Sequence, residues 1–293
     1  MHTFIWRFVS FFLKKSGLLF LAIIFVMITV VTAAFDSTRV RVRHLTIEND
    51  AFASVLAGKK LVHISDTHFR TEDSQHVEVV LDMLDSLQPD YVFLTGDLVR
   101  WYGWWDDYQL TFDFLKKVRA SDGVFAVMGD SDYSFSRASC SFCHAKPGSE
   151  TISLNQTKFL RDQFIDHTRS SLPVRIAGID CGPYMLPDVS LADSLSAATP
   201  TILLSHTSTV FDSISDSKNV LVLAGDTHGG QIYLPDFIWK WWRRKPDPEH
   251  MYGFFRERNK MLYVTSGVGT SDIIFRLGVP AEIAVIEFVP EKK

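Results

Sequence analysis

Five apolar runs of five residues, each followed within two positions by Asp or His, constrain this chain more than any other feature. Asp66-Thr67-His68 follows Leu61–Ser65, Gly96-Asp97 follows Tyr91–Thr95, and Gly129-Asp130 follows Val124–Met128. His206 follows Thr201–Ser205, and Gly225-Asp226-Thr227-His228 follows Val220–Ala224. Short apolar runs bounded by turn residues read as buried strands. In open α/β sheets the loops beyond the C-terminal strand ends form the ligand crevice. A single Asp at one strand end is unremarkable. Five ends offering Asp or His, with glycines that let backbones approach closely, point to a metal site rather than a solvated surface.

The rest of the chain fits the same architecture. Val40–Glu48 alternates like a strand, His76–Leu87 has helical spacing and stops at Pro89, and a second helix is expected over Asp106–Val118. Further strands are expected at Val174–Gly178, Ile232–Leu234, Leu262–Thr265 and Glu282–Phe288. Strands alternating with helices, then closely spaced strands, predict mixed sheets covered by helices. Ser134–Thr157 and Pro235–Gly253 break the pattern and read as surface insertions beside the site.

Gly17–Phe35 runs for about nineteen residues without a charge, close to the roughly 20 that a helix needs to cross a bilayer. Thr32, Ala33 and Ala34 are small, so a cleavable signal peptide is the competing reading. The run is longer than a usual signal core, which favours a retained anchor. The expected organisation is an anchor over residues 1–38, spanning about 17–35, and one domain over 39–293. Arg7, Lys14 and Lys15 before the span balance Arg39, Arg41 and Arg43 after it, so charge gives no orientation. A net charge of -4 gives no reason to expect nucleic acid, and three cysteines make no disulfide framework.

In order along the chain, the blocks Asp66-Thr67-His68, Gly96-Asp97, Gly129-Asp130-Ser131-Asp132, His206 and Gly225-Asp226-Thr227-His228 resemble those of the calcineurin-like metallophosphoesterases. The resemblance covers Lys60 to Phe288. Gly229-Gly230-Gln231 and Tyr263–Gly269 look like the bacterial membrane-associated branch of that family. The resemblance implies a four-layer αββα sandwich carrying two divalent metal ions. Asp66, His68, Asp97 and His228 would hold one ion. Bridging Asp97, Asp130, His206 and Asp226 would hold the other.

Three positions depart from the family pattern. Asp130 stands where the family usually has Asn, and Asp226 where it usually has His. Four carboxylates make the second site harder and favour Mn²⁺, with Mg²⁺, Fe and Zn²⁺ as the other candidates. Ser131 replaces the His that donates to the leaving group. A hydroxyl is no cationic acid near neutral pH, so the catalytic set Asp97, Asp130 and Ser131 suits an anhydride or another acidic leaving group.

Outside the blocks the readings are weaker. Arg100 and Arg276 are candidate phosphate contacts, although exposed arginines are commonly just solvated. Trp239, Trp241, Trp242, Arg243 and Arg244 combine aromatics with cations and suit a membrane interface, against the alternative of core aromatics plus a solvated turn. Trp101, Tyr102, Trp104 and Trp105 either line the same entrance or belong to the core. Cys140-Ser141-Phe142-Cys143-His144 matches a haem-attachment string, but a disulfide, a minor metal site with Cys181 or plain loop cysteines fit better. His63, inside a strand, is expected in the core.

Together these features lead to a single-pass enzyme of a bacterial inner membrane, its domain facing the cytoplasm, with lipid-linked or nucleotide-linked phosphate as substrate. The specific expectation is hydrolysis of UDP-2,3-diacylglucosamine to lipid X and UMP, a step of lipid A biosynthesis. An outward-facing phosphodiesterase or phosphatase of broader specificity and a catalytically impaired membrane scaffold are the alternatives. The sequence leaves the oligomeric state open.

Overall fold

The computed structural model describes residues 17–32, 39–133, 152–154, 156–168, 173–182, 184–232, 250–271 and 275–292. Two mixed sheets dominate. The first contains β1 (Arg41–Glu48), β2 (Leu61–Ile64), β3 (Tyr91–Thr95), β4 (Gly123–Val127), β5 (Ile152–Leu154), β6 (Thr157–Phe159) and β13 (Glu282–Val289). Its order is β1-β13-β2-β3-β4-β6-β5. The second contains β7 (Gln163–Thr168), β8 (Pro173–Ile179), β9 (Thr201–Ser205), β10 (Val220–Ala224), β11 (Gly253–Glu257) and β12 (Lys260–Val264), in the order β11-β12-β10-β9-β8-β7.

Alternation along the buried strands explains the layers. In β2 to β4, Leu61, Phe93 and Phe125 point toward the second sheet and pack with Ile202, Leu204, Leu221 and Leu223. Their neighbours Val62, Leu94 and Ala126 point the other way, onto Val80 and Leu84 of α3 (Ser74–Leu87) and Phe114 of α4 (Trp105–Lys117). The outer face of the second sheet is closed by α5 (Ser190–Ser194) and a 3-10 turn at Ser208–Ser213. The order helix, sheet, sheet, helix is the expected four-layer arrangement. The run β2-β3-β4 in one sheet and β9-β10-β12 in the other is parallel within each sheet. The C-terminal ends of these strands therefore share one edge.

Some elements have no strong signal in sequence. The helix α2 (Asp50–Leu56) is capped by Asn49, whose side chain accepts from the Phe52 amide. The strand β7 is a polar edge strand, recognisable only through its antiparallel pairing with β8. Conversely, the strand expected at Ile232–Leu234 reduces to isolated bridges from Ile232 to Leu277 and Gly278.

The apolar N-terminal run forms a helix, α1, over residues 17–32. The last residues of the expected span lie outside the described residues. Among those described, no helix is long and apolar enough to cross a membrane. Cys140, Cys143 and His144 also lie outside the described residues, as do Trp239, Trp241, Trp242, Arg243 and Arg244.

Candidate metal centre

The seven predicted ligands converge at the shared strand edge. Asp66 and His68 follow β2, Asp97 follows β3, and Asp130 follows β4. From the second sheet, His206 follows β9, while Asp226 and His228 follow β10. Five of the seven, namely Asp66, His68, Asp97, Asp226 and His228, have positive φ between 42° and 69°. Non-glycine residues rarely adopt this conformation, and each one costs of order 1 kcal/mol or more.

Glycines make room for the carboxylates. A Cβ on Gly129 would stand 2.0 Å from Oδ1 of Asp97, and one on Gly225 would stand 2.3 Å from Oδ2 of Asp66. Backbone amides fill much of the remaining hydrogen-bonding capacity. Asp226 N–H donates to Asp66 at 3.0 Å, and Ser131 N–H donates to Oδ1 of Asp97 at 3.0 Å.

The ligand atoms fall into two halves joined by Asp97. In the first, Nε2 of His68 lies 3.0 Å from Nε2 of His228, which lies 3.6 Å from Asp66 Oδ1. In the second, Nε2 of His206 lies 3.9 Å from Asp130 and 3.8 Å from Asp226. Asp97 turns Oδ2 toward His68 and Oδ1 toward His206, at 3.4 Å in each case. Two atoms bound to one cation at about 2.1 Å stand roughly 3.0 to 3.4 Å apart at octahedral to tetrahedral angles. Asp130 and Asp226 are somewhat looser than that. Two three-residue groups have ligand atoms all within 4.8 Å of one another, Asp66, His68 and His228, and Asp66, Asp97 and His206, so Asp66 as well as Asp97 borders both halves.

The donor chemistry also fits a metal. Nδ1 of His206 is 2.8 Å from the Thr95 carbonyl, which can only accept, so that nitrogen carries the proton. This leaves Nε2 as the ligand atom, the usual arrangement for a metal-binding His. That Nε2 is buried without a hydrogen-bond partner. Electrostatics agree. Burial pushes Asp66 up to about 7. Burial alone would lower His206, but Asp97, Asp66 and Asp226 outweigh it and hold the imidazole at about 10. Burial lowers His68 and His228, keeping both as neutral donors. A nest of buried carboxylates that draws in protons in this way is short of positive charge.

The other predicted residues separate. Arg100 lines a cavity of about 830 Å³ that opens onto His68, Asp97, Asp130 and Asp226. Its Nε donates to Asp107 at 2.9 Å. Arg276, by contrast, is no phosphate contact. Its guanidinium is fully buried and donates to the carbonyls of Ser266, Gly267, Gly269, His228 and Val279, with Nη2 3.3 Å from His228 Nδ1. Ser131 does not reach the cavity. Its hydroxyl donates to the Val99 carbonyl at 2.7 Å, and its amide orients Asp97. His63 is core, as expected, with Nε2 2.9 Å from Thr95 Oγ1. Cys181 is a buried free thiol.

Two residues with clear roles gave no independent signal. Asp132 accepts from the amides of Leu98, Val99 and Gly129, tying together the loops that carry Asp97 and Asp130. Asp107 accepts from Thr71, Arg100 and Trp104 and fixes the loop beyond β3.

The chain also resembles known proteins along most of its length. The family model for calcineurin-like phosphoesterases matches residues 59–251, more than half of the chain. The chain belongs to the calcineurin-like phosphoesterase family. The groups Asp66, His68 and His228, and Asp66, Asp97 and His206, could each hold a metal ion. YkuE of Bacillus subtilis, an uncharacterized metallophosphoesterase, is 26% identical over 249 residues, covering 82% of each chain. An uncharacterized metallophosphoesterase of Helicobacter pylori strain 26695 is 25% identical over 251 residues, 80% of this chain and 60% of that one. One from Campylobacter jejuni is 28% identical over 240 residues, again 80% and 60%. The chain thus spans about 60% of the length of the Helicobacter and Campylobacter relatives.

Proposed function

We propose that this phosphoesterase hydrolyses the pyrophosphate bond of UDP-2,3-diacylglucosamine, giving lipid X and UMP, at the cytoplasmic face of a bacterial inner membrane. The reading rests above all on Asp97, whose two oxygens face the two halves of one buried site. Asp66, His68, Asp97 and His228 would hold one divalent cation, and Asp97, Asp130, His206 and Asp226 the other. Such a pair acidifies a bound water and neutralises phosphate oxygens. Four carboxylates among seven ligands favour Mn²⁺, a hard ion, over Zn²⁺.

The leaving group follows from Ser131. Where the family has a cationic donor, this chain has a hydroxyl committed to the Val99 carbonyl. A basic alkoxide would depart poorly without a proton, whereas a nucleoside phosphate is stable as an anion. Arg100, held by Asp107 at the cavity wall, offers positive charge to the second phosphate. The apolar run in α1 supports a lipid-linked substrate rather than a soluble one.

Direct assay with UDP-2,3-diacylglucosamine tests the proposal. Mn²⁺-dependent release of UMP is expected, and Asp97→Ala should lower it on the order of 10⁴-fold. Efficient cleavage of alkyl phosphate esters with no attack on the nucleotide anhydride would overturn the choice of substrate. So would a catalytic domain open to protease on the outside of intact spheroplasts.

A further inference from the structure

Outside α1, most of the large exposed apolar side chains lie on loops that also line the cavity. Outside α1, the described residues include nine such side chains. Three are scattered, Val42 on β1, Val79 on α3 and Phe164 on β7. The other six are Tyr102, Trp104, Trp105, Tyr184, Leu186 and Phe275. They sit on the loops that follow β3, β8 and β12, whose Trp101, Met185 and Ser271 line the cavity itself. All three loops leave the strand edge that carries the metal ligands.

The exposure is built in. Asp107 pins the first loop through the Trp104 amide and Arg100, and Gly103 N–H closes a turn on the Arg100 carbonyl. Trp104 and Trp105 are left 75% and 70% exposed at the start of α4. In the second loop, Met185 takes a φ of 55°, turning into the cavity while Tyr184 and the 81% exposed Leu186 face solvent. Six large exposed apolar groups on the loops that frame a polar, carboxylate-lined cavity do nothing for a phosphate.

We propose that this rim is a bilayer-docking surface that seats the cavity mouth at headgroup level, where it takes the phosphate of an amphiphile whose acyl chains stay in the membrane. This rests on the phosphohydrolase reading above. Trp and Tyr are the residues that settle at the membrane–water boundary, and a Leu beside them reaches the acyl layer. A bilayer is favoured over a second copy of the chain because a protein seated on the rim would cap the cavity. The bilayer is also within reach through α1, whose residues from Leu18 to Val31 are uncharged and largely exposed.

The test compares the full chain with a Trp104→Ser/Trp105→Ser/Leu186→Ser variant, both reconstituted in phosphatidylethanolamine–phosphatidylglycerol vesicles. Lipids brominated near the headgroup should quench tryptophan fluorescence in the parent and at most half as strongly in the variant. Hydrolysis of vesicle-borne UDP-2,3-diacylglucosamine should fall at least tenfold through KM, while hydrolysis of water-soluble bis-p-nitrophenyl phosphate stays within twofold. Unchanged quenching overturns the proposal, and so does an equal fall in both activities. A parent dimer that the substitutions dissociate assigns the rim to a second copy and also overturns it. If the parent attacks neither substrate, the function proposed above fails, but the quenching comparison still decides the role of the rim.

Discussion

The two halves of the candidate metal centre offer the same residue types but are supported differently. The half formed by Asp66, His68 and His228 is nearly sealed, with side chains no more than 6% exposed. Glycines press on Asp66, and Arg276 stitches the His228 backbone to the Ser266–Gly269 loop. The half formed by Asp130, His206 and Asp226 has one sealed member, His206. Its carboxylates are 11% and 26% exposed. Close packing costs strain, visible in the positive φ angles, and in return fixes geometry before any ion arrives. The sealed half should therefore be the tight, slowly exchanging site, and the open half the one that responds to solution metal.

Removing Arg276 is the severest way to break this contrast. Arg276→Ala strands several buried carbonyls and should cost on the order of 3 kcal/mol in urea unfolding. Arg276→Lys keeps the charge but loses the planar fork. It should fold, yet weaken metal binding in the sealed half by roughly 10–100-fold, as loss of a group that orients a ligand does. Calorimetric titration should resolve two affinities in the parent, of which the tighter one weakens in Arg276→Lys while the weaker one holds. If only the weaker one moved, the assignment of the sealed half would be wrong.

A smaller effect comes from beneath the open half. His63 shares Thr95 with His206, contacting its hydroxyl while His206 uses its carbonyl. Burial lowers His63 to about 3, so the folded protein holds it neutral. The unfolded chain takes up a proton near the ordinary value of about 6.5. Stability is thus complete above that pH and falls as pH drops from 6.5 toward 3. The slope approaches about 1.4 kcal/mol per unit once the unfolded His is charged. Urea midpoints between pH 7 and 5 should fall less steeply in His63→Gln than in the parent, by up to this amount. An equal slope in the variant would place the effect elsewhere.

How far the sequence reveals this design depends on whether a feature is local. Tyr91–Thr95, Thr201–Ser205 and Val220–Ala224 coincide with β3, β9 and β10 because each is a continuous apolar run with a polar stop. That the seven candidate side chains would meet was legible for the same reason, since each sits at such a stop. Arg276 was misread because a fully buried arginine and a phosphate-binding one look alike in sequence. Its partners are carbonyls, which no side-chain pattern encodes. Ser131 was half legible: the missing acid is visible in the motif, but its bond to Val99 depends on two loops meeting. The polar strand β7 is set by its partner β8 rather than by its own composition.

The finest test of the contrast is to change the open half alone. Asp226 lies where relatives of this fold usually carry His, and its carboxylate is the most exposed of the four. Asp226→His removes one negative charge from the open half and replaces a hard oxygen with an imidazole nitrogen. Nitrogen ligands suit Zn²⁺, whereas oxygen ligands suit Mn²⁺ and Mg²⁺. The ratio of Zn²⁺-supported to Mn²⁺-supported hydrolysis should rise on the order of tenfold, with the tighter of the two affinities unchanged. Because the side chain reaches solvent, the larger ring can be accommodated without repacking the core. Parallel metal titrations of parent and variant read both quantities. A shift in the tight affinity as well would mean that Asp97 couples the halves into one unit, and the separation argued here would then be one of exposure rather than of metal binding.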